Sequence, residues 1–373
     1  MSKINLTYVV SQVSHSKLFE WTAQLLDKSK YNLCFILMHE SETPLEISLR
    51  KIGIKVYRVP YKNKYDLPAT VIRIRNILKS EKTTIIHTHL FEGGLAGMSA
   101  AKLAGIKKRI HTRHDATIHH DFHPSAVKYD KVTNGLATDI IAITQNVKNI
   151  LTNLEHVPES KISIIHHGFM LNEFSEVSEA RINNISQRYY PSGKPKFIIG
   201  AVSRFIEWKG LHYLIPAFSE FLKLHPESHL VLANAQGPYE TEINILLKSL
   251  PEGSFTKIRF ENDIAALLHS FDVFIHVPVD ERAEAFGQVY VEAMAAGIPS
   301  VLTLSGIAAD FVIDNETALV VPFRNSVAIL EKIELLFSNA DLNLRIKTNA
   351  FNLVMENFQI SKMISELEKC YDS

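Results

Sequence analysis

The sequence has few cysteines and no long apolar run. Cys34 and Cys370 are the only cysteines in 373 residues, and their separation suits neither a disulfide framework nor a zinc site of the C-x-x-C kind. No apolar run approaches the roughly 18 residues of a membrane-spanning helix, and the N-terminus lacks the apolar core of a signal peptide. These absences predict a protein of the reducing cytoplasm that is neither secreted nor membrane-spanning.

A net charge is also absent, because 40 Lys and Arg balance 40 Asp and Glu. The balance fails locally: between residues 50 and 82, ten basic residues accompany only two acidic ones, Asp66 and Glu81. Such a stretch can lie on anionic lipid or simply form a solvated helix face. Few aromatic residues are interleaved with the cations, which argues against a nucleic-acid partner. Peripheral contact with the cytoplasmic face of a membrane, through residues 50–82, is therefore a secondary hypothesis.

The chain instead shows short apolar runs alternating with segments of helical periodicity. Strand-like runs occur in the first half at 6–10, 33–38, 55–59, 85–87, 109–112, 140–143 and 162–165, and in the second half at 197–202, 230–233, 256–260, 273–276 and 300–303. Strand then helix, repeated with short connections, predicts parallel sheets covered by helices on both faces. The fold class is therefore α/β, with two doubly wound Rossmann-like domains facing a central cleft.

Domain boundaries follow from the same pattern. The expected division is an N-terminal domain over 1–175, a hinge linker over 176–196 and a C-terminal domain over 197–356. A last helix at 357–373 is expected to pack back on the N-terminal domain. Parallel sheets bind ligands at the carboxyl ends of their strands, so functional residues should follow strands.

Two carboxylates, Glu284 and Glu292, stand eight residues apart where a loop turns into a helix. Gly287 permits a tight turn, and Gly297 with Pro299 is typical of a helix stop. The N-H groups and positive dipole end of such a helix attract anions, and carboxylates accept hydrogen bonds from hydroxyls. A phosphorylated, hydroxyl-rich ligand would suit this site. The alternative is an acidic segment that merely complements the helix dipole.

Two cations, Arg204 and Lys209, follow the strand-like run at 197–202. An Arg fork and a Lys point charge together suit a diphosphate, although a pair of surface cations would look the same in isolation. The segment 204–210, followed by Glu284-x7-Glu292 and by Ala296-Gly-Ile-Pro-Ser300, closely resembles the family 4 retaining glycosyltransferases of the GT-B fold. Shorter segments at 86–90, 109–114, 141–144, 164–169, 271–278 and 317–322 occur in the order of that family.

The resemblance implies a role for each matching residue. Arg204 and Lys209 would hold the diphosphate of a nucleotide-sugar donor, together with N-H groups of Phe286, Gly287 and Gln288. The transferred sugar would contact Glu284, with His114 facing it from the N-terminal domain across the cleft. The nucleoside would contact Glu292 through its ribose hydroxyls and Ile264 beside its base. Arg204, Lys209, Glu284 and His114 are thus the candidate catalytic residues.

The implied reaction is transfer of a sugar, with retention of configuration, from a UDP or GDP sugar to a hydroxyl of a glycan or lipid-linked acceptor. The departing phosphate takes the acceptor's proton, and Glu284 is a positioning group. Because the chain contains no D-x-D motif, we expect the protein cations to neutralise the phosphates without a metal or other cofactor.

The sequence departs from the family pattern in three loops. Where relatives carry a Gly-Gly loop after the first strand, residues 11–17 have none, and the side chains of Ser14, His15, Ser16 and Lys17 are possible acceptor ligands in its place, with His89 a further candidate. The segments 305–310 and 232–237 also lack glycines that are usual there.

Histidines at 87, 89, 111, 114, 119, 120 and 123 suggest a metal site at first sight. Their spacing matches no H-E-x-x-H or Cys/His pattern, so polar lining of the cleft is the favoured interpretation. Two other functions remain open. One is a glycosyltransferase-like protein that binds nucleotide sugar or a partner subunit without transfer, and the other is a nucleotide-sugar epimerase.

Overall fold

Each half of the alternating pattern forms one parallel sheet. The computed structural model describes residues 3–191 and 193–373, and it divides into two units, Met1–Phe169 with Ile360–Ser373, and Met170–Gln359. Every strand pair in both sheets is parallel. The predicted class, two doubly wound α/β domains, is confirmed.

The first unit contains seven strands in the order β3-β2-β1-β4-β5-β6-β7. The strands are β1 (Ile4–Ser11), β2 (Tyr31–Met38), β3 (Lys55–Val59), β4 (Ile85–His89), β5 (Lys108–Arg113), β6 (Asp139–Ala142) and β7 (Ile162–Ile164). The helices are α1 (Lys17–Leu25), α2 (Pro44–Lys51), α3 (Leu67–Ser80), α4 (Phe91–Ala104), α5 (Ile118–Phe122), α6 (Val127–Leu136) and α7 (Gln145–Asn153), with short 3-10 turns at Lys64–Asp66, Pro124–Ala126 and Glu159–Lys161.

Helix α4 packs very closely against this sheet because three of its residues are glycines. A Cβ on Gly97 would lie 2.6 Å from Thr88 Cγ2, and one on Gly94 would lie 2.7 Å from the ring of His111. Contacts that short do not occur between real side chains, so glycine is required where the helix crosses the strands. The strands themselves are buried on both faces, which explains their continuous apolar runs.

The second unit contains six strands in the order β10-β9-β8-β11-β12-β13. The strands are β8 (Phe197–Val202), β9 (Ser228–Ala233), β10 (Phe255–Ile258), β11 (Val273–His276), β12 (Ser300–Leu302) and β13 (Leu319–Val320). The helices are α8 (Asn172–Ser175), α9 (Glu179–Tyr189), α10 (Leu211–Leu224), α11 (Glu240–Leu247), α12 (Ile264–Leu268), α13 (Gln288–Ala295), α14 (Ala308–Phe311), α15 (Ser326–Ser338) and α16 (Ala340–Asn357), with a 3-10 turn at Glu207–Lys209.

The segment expected as a linker, 176–196, contains helix α9 and belongs to the second unit. Arg188 bonds Glu261 at 2.7 Å, and Arg181 forms a two-pronged contact with Asp263 at 2.6 and 2.9 Å. The polar composition that suggested a hinge therefore supplies ion pairs that fix a helix. The boundary between the two units falls at residue 169, six residues before the expected end of the N-terminal domain at residue 175.

The last helix, α17 (Ile360–Asp372), belongs to the first unit. It packs against α1, and its Tyr371 hydroxyl hydrogen-bonds both the Tyr8 hydroxyl and His87 Nδ1, the latter at 2.8 Å. His87 Nε2 in turn bonds Thr112 Oγ1 at 2.7 Å. A buried polar chain thus ties the C-terminal helix to three strands of the first sheet.

Among the described helices, none combines the length and the apolar character needed to cross a membrane.

Candidate functional site

The second sheet reverses its strand order between β8 and β11, which are hydrogen-bonded neighbours. The chain runs outward from β8 to one edge through β9 and β10, and from β11 to the other through β12 and β13. Such a reversal leaves a crevice at the carboxyl ends of the two central strands, where open α/β sheets bind ligands. Arg204 and Lys209 follow β8, and Glu284 follows β11, so the predicted residues lie at this point.

A glycine brings the segment after β8 against the end of β11. Gly210 has a left-handed backbone with φ of 75°, and a Cβ there would lie 1.9 Å from the carbonyl oxygen of Val277. Only glycine fits this approach. One residue earlier in the chain, the 3-10 turn carries Lys209, and the carbonyl of Trp208 accepts a hydrogen bond from the N-H of Val279 at 3.0 Å. The turn therefore places Lys209 over the loop that carries Glu284.

Lys209 and Glu284 form an ion pair in which a histidine takes part. Lys209 Nζ lies 2.5 Å from Glu284 Oε1, and His276 Nε2 lies 2.9 Å from the same oxygen. Glu284 is 7% exposed and His276 is 3% exposed. Burial alone would raise the pKa of Glu284, but the Lys209 charge and the hydrogen bonds from His276 and Lys209 outweigh burial and hold the pKa at about 2. The carboxylate is therefore ionised at every physiological pH.

Arg204 is exposed at the same strand end. Within residues 3–191 and 193–373, its guanidinium forms no hydrogen bond or ion pair. An exposed guanidinium two residues beyond a central strand can bind a phosphate in two-pronged fashion without first breaking a contact within the protein.

The loop that enters α13 is shaped by two glycines. Gly287 precedes the helix with φ of 84°, and in the described chain the N-H groups of Gly287 and Gln288 donate to no protein acceptor, as expected for a first turn. Gly306 lies underneath, where a Cβ would come 2.7 Å from the Glu284 Cβ. Ser305 Oγ accepts the N-H of Glu284 at 3.1 Å. The segment 305–310 departs from the family pattern, but it keeps Gly306, the glycine that the position of Glu284 requires.

Glu292 lies in the middle of α13 and is half-buried. Burial raises the pKa of its carboxyl to about 7. No hydrogen bond or ion pair to it occurs in the described part of the chain. A ligand that donates hydrogen bonds to this carboxylate would relieve the cost of its burial. Ile264 is the half-exposed first residue of α12, after the edge strand β10, and Asp263 caps that helix.

The loop after β9 also departs from the family pattern, and the structure shows how. Asn234 adopts a left-handed conformation with φ of 63°, which Asn tolerates better than most residues. Gly237 has φ of 155°, and a Cβ on it would lie 2.3 Å from the carbonyl oxygen of Phe205. Asn234 thus takes a conformation usually left to glycine, while Gly237 permits contact with the loop that contains Arg204.

The first sheet reverses its order between β1 and β4, and both loops there contain unusual backbone. Gln12 has φ of 53° and Leu90 has φ of 64°, conformations that cost residues other than glycine about 1 kcal/mol or more. Gly93 is in the first turn of α4, and its N-H donates a hydrogen bond to Ser11 Oγ at 3.0 Å. Of the proposed acceptor ligands, Ser14, His15 and Lys17 are exposed, whereas Ser16 caps α1 by accepting the N-H of Phe19.

Imidazoles form a row across the carboxyl end of this first sheet. The ring of His114 lies 5.4 Å from that of His89 on one side and 5.4 Å from that of His167 on the other. His89 Nδ1 and His114 Nε2 are 3.1 Å apart. Burial lowers the pKa of all three, that of His114 to about 4, with Asp115 opposing the shift. These rings are therefore neutral at physiological pH, and His89 contacts His114 from below and is itself buried.

The histidines of α5 belong to a buried ionic network around Arg113. The guanidinium lies 2.6 Å from Asp130 and 3.1 Å from Glu155, and His119 and His120 bond these same two carboxylates at 2.7 and 3.2 Å. The network fixes the loop that follows His114. Across the described residues, no three His, Cys, Asp or Glu side chains are grouped as metal ligands.

Family comparisons agree with this geometry. A model described as Glycosyltransferase Family 4 matches residues 22–173, and one described as Glycosyl transferases group 1 matches residues 184–353. The chain belongs to the family 4 glycosyltransferases. The two matches fall on the first and second sheets respectively, and the second includes Arg204, Lys209, Glu284 and Glu292.

Individual relatives are distant but extend over most of the chain. The capsular polysaccharide biosynthesis glycosyltransferase CapM of Staphylococcus aureus is 26% identical over 82% of this chain and 80% of its own length. The UDP-Gal:alpha-D-GlcNAc-diphosphoundecaprenol alpha-1,3-galactosyltransferase of Escherichia coli is 23% identical over 81% and 78%. The structure of Anabaena HepE in complex with UDP-glucose is similar at a TM-score of 0.83, with 19% identity and 99% of each chain covered. The fold is the GT-B fold.

Sequence reasoning missed three contributors to the site. His276 was counted only as part of a family-like segment, and its hydrogen bond to Glu284 depends on a loop whose path the sequence does not fix. Leu90 has a strained left-handed backbone, and a leucine in the sequence gives no indication of this conformation. His167 lies in the loop after β7, as its assignment to a strand-end turn predicts, but its ring contact with His114 does not follow from the sequence.

The basic stretch 50–82 is partly neutralised within the first unit. Arg58 and Arg50 both bond the buried Glu46, at 2.8 and 2.7 Å, and Lys55 lies 2.6 Å from Glu81. The remaining cations that are exposed are Lys51, Lys62, Lys64, Arg73, Lys79 and Lys82. An excess of positive charge therefore reaches the surface, although it is smaller than the sequence suggested.

Proposed function

We propose that this chain is a retaining glycosyltransferase that transfers a sugar from a nucleoside diphosphate sugar to a hydroxyl of a glycan or lipid-linked acceptor. The observation that carries the proposal is the arrangement at the β8–β11 reversal. An exposed guanidinium, a lysine paired with a buried carboxylate and a helix N-terminus meet there, which is the set of groups that a sugar diphosphate requires.

The second unit would bind the donor. Arg204, Lys209 and the first N-H groups of α13 neutralise the diphosphate as it departs. Glu284 accepts hydrogen bonds from hydroxyls of the sugar, and Glu292 accepts those of the ribose. We propose that Ile264 contacts the base and that His114 is the catalytic contribution of the first unit.

The pKa of Glu284 bears on the mechanism. A carboxyl group with a pKa of about 2 is a very weak base at neutral pH, so it is poorly suited to remove the acceptor's proton. In the proposed reaction the bond from the anomeric carbon to the phosphate oxygen breaks while the acceptor oxygen bonds to the same face of that carbon. The acceptor's proton passes to the departing phosphate. Glu284 positions the sugar throughout.

The donor is proposed to carry UDP or GDP, and UDP is favoured by the names of two similar proteins given above. We expect transfer to need no metal, because two cations and a helix N-terminus are available to the diphosphate. A location at the cytoplasmic face of a membrane fits the two free cysteines and the exposed cations of the 50–82 stretch.

Thermal unfolding in the presence of UDP, GDP, ADP or CMP at equal concentration tests this proposal. A nucleotide present at 100 times its dissociation constant stabilises the folded state by about 2.7 kcal/mol. We expect one nucleoside diphosphate to raise the unfolding temperature clearly more than the others, with the same result in excess EDTA. No shift with any nucleotide would contradict donor binding. A nucleotide shift without transfer to any acceptor would instead favour the non-catalytic alternative.

A further inference from the structure

His276 is the last residue of β11 and is enclosed by the core of the second unit. Its ring meets that of Tyr290 edge-on at 4.8 Å and lies nearly parallel to that of Phe274 at 6.2 Å. Only 3% of its surface is exposed. A ring held between two aromatic side chains has little rotational freedom, so the direction of its Nε2 is fixed by packing.

That nitrogen points at Glu284 Oε1, the oxygen that also contacts Lys209. The two donors differ in mobility: the imidazole is wedged in the core, whereas the ammonium stands on a flexible four-carbon chain. They differ also in charge. Burial, reinforced by the Lys209 cation, lowers the pKa of His276 more than Glu284 raises it. His276 is therefore a neutral donor beside a charged one.

Lys209 would divide its three N-H donors between the carboxylate and a donor diphosphate. Lys209 forms an ion pair with Glu284, and the proposed function requires its ammonium at the diphosphate. When the ammonium moves, Glu284 would lose the charged partner of its Oε1 atom, and the orientation of the carboxylate would then depend more on the hydrogen bond from His276. The hydrogen bond from His276 can persist through this exchange, because neither His276 nor Glu284 is among the groups proposed to bind the diphosphate.

We propose that His276 is a positioning residue that holds the Glu284 carboxylate towards the donor sugar while Lys209 shifts to the diphosphate. This inference rests on the proposed function of the same site. Its consequence is specific: loss of the His276 hydrogen bond should impair turnover of an intact sugar nucleotide but leave binding of the bare nucleoside diphosphate unchanged, because only the sugar depends on the orientation of Glu284.

The test uses three substitutions at this position in the full chain. His276→Leu removes the donor; His276→Asn keeps an amide but is too short to reach Glu284; His276→Gln places an amide N-H near the position of Nε2. His229→Leu is the matched control, since His229 is another buried histidine of the second unit and bonds Thr256 at 2.8 Å. UDP binding is measured by calorimetry. Turnover is measured as release of UDP from UDP-glucose without added acceptor, when water accepts the glucosyl group.

We expect the Leu and Asn variants to lower kcat for UDP release at least tenfold while the Kd for UDP changes less than twofold. The Gln variant should recover to within about threefold of the unmodified chain, a magnitude consistent with one hydrogen bond to a charged group. His229→Leu should change neither quantity. If the Leu variant does not fold, the Asn and Gln variants give the same comparison.

Three results would overturn the positioning role alone. The first two are unimpaired turnover in both the Leu and Asn variants, and equal loss in Asn and Gln. Parallel loss of UDP affinity and kcat would also overturn it, because a general structural defect would be responsible. If the unmodified chain binds neither UDP nor UDP-glucose, nor any pair chosen by the nucleotide panel, the proposed function itself fails. The two kinds of failure are therefore distinguishable.

Discussion

The two sheets share one architecture but carry different chemistry at the carboxyl ends of their strands. In the second sheet the chemistry is concentrated where the strand order reverses. In the second unit this point holds two cations and an ionised carboxylate, with Arg204 exposed and Lys209 paired to Glu284. In the first unit a row of neutral imidazoles, with the half-buried His114 at its centre, crosses the carboxyl ends of the strands from β4 to β7. Backbone topology alone therefore tells where a ligand binds and says nothing of its charge.

The difference fits two ligands of different charge. A diphosphate needs full positive charges, and the second unit supplies them at little cost because Arg204 stays in solvent. A neutral hydroxyl needs a donor and an acceptor in fixed places, which a buried imidazole provides without the penalty of a buried charge. A small cavity of about 30 Å³ lined by His89, His114 and His167 lies in the first unit. This contrast between the two units would be contradicted if substitutions in either unit changed the binding of both the diphosphate and the acceptor to the same extent.

The largest effect is expected at Glu284. Glu284→Ala should lower transfer by about 10²- to 10³-fold, because the sugar loses a charged hydrogen-bond partner in a buried site. Nucleotide binding should be retained, since Lys209 is then released to the diphosphate. Transfer is measured by product formation and nucleotide binding by calorimetry.

Glu281→Ala is the matched control, because Glu281 is an exposed carboxylate in the same loop. It should leave both quantities near those of the unmodified chain. Transfer that survives Glu284→Ala would contradict the positioning role assigned to this carboxylate.

The two cations should be separable by their effects on stability. Arg204→Ala should weaken UDP binding by about 10- to 100-fold, the value of a charge-assisted two-pronged contact, while the free energy of unfolding changes by less than about 0.5 kcal/mol. Lys209→Ala should weaken binding too, but it also leaves the buried Glu284 without its cation and should cost about 2 kcal/mol of stability. Denaturant unfolding and calorimetry together measure both. Equal stability of the two variants would contradict the ion pair.

Much of this contrast was predictable, and the reason lies in how each kind of residue is specified. Arg204, Lys209 and Glu284 follow strands whose apolar runs define the sheet, and the carboxyl ends of parallel strands are where such sheets bind ligands. The predicted strand 273–276 has the same bounds as β11. The predicted strand 162–165 is one residue longer than β7. Local patterns decide these features, so the sequence alone suffices.

The features that the sequence does not predict depend on contacts between distant parts of the chain. The sequence predicts a linker where helix α9 forms, because the anchors of this helix, Glu261 and Asp263, lie more than seventy residues further on. The two-residue strand β13 is too short to show a pattern. The hydrogen bond from His276 to Glu284 and the buried state of His89 likewise follow from packing. Polar residues whose partners are remote look the same in sequence as polar residues that face solvent.

A pH dependence should appear at Glu292. Its pKa of about 7 means that the carboxyl is half protonated at neutral pH, and ribose hydroxyls donate best to the ionised form. The Kd for UDP should therefore fall as pH rises from 6 to 8, by about tenfold at most. Glu292→Gln should bind more weakly at pH 8 and remove this part of the dependence, whereas ionisation of the phosphate persists in both proteins.

Stability gives an independent check on the same group. Because the folded-state pKa is raised, the folded chain holds an extra proton between the ordinary pKa of Glu and pH 7, so this group makes stability decline as pH rises through that window. Above pH 7 the Gln variant should then unfold at a higher temperature than the unmodified chain. Identical pH profiles of the two proteins would show that the carboxyl is not perturbed.

In the first unit, Tyr371→Phe tests the buried hydrogen bonds that connect the C-terminal helix to the sheet. The substitution deprives His87 and Tyr8 of a partner and should cost about 2 kcal/mol of stability. UDP affinity should be unchanged, since the residue belongs to the other unit. Tyr129→Phe, at an exposed tyrosine of the first unit, is the control and should be neutral. Altered UDP affinity without loss of stability would contradict the separation of roles between the two units.

The smallest expected effect is at Gln12, where the first unit lacks the glycine usual in this family. Gln12→Gly relieves a left-handed backbone but adds freedom to the unfolded chain, so the net gain should be about 0.5 kcal/mol. Lys82→Gly, at φ of 50° and outside this loop, should give a similar gain. Transfer separates the two variants. If only Gln12→Gly changes the KM for the acceptor, the strained loop contributes to acceptor binding in place of glycine; if both leave it unchanged, the strain has no such role.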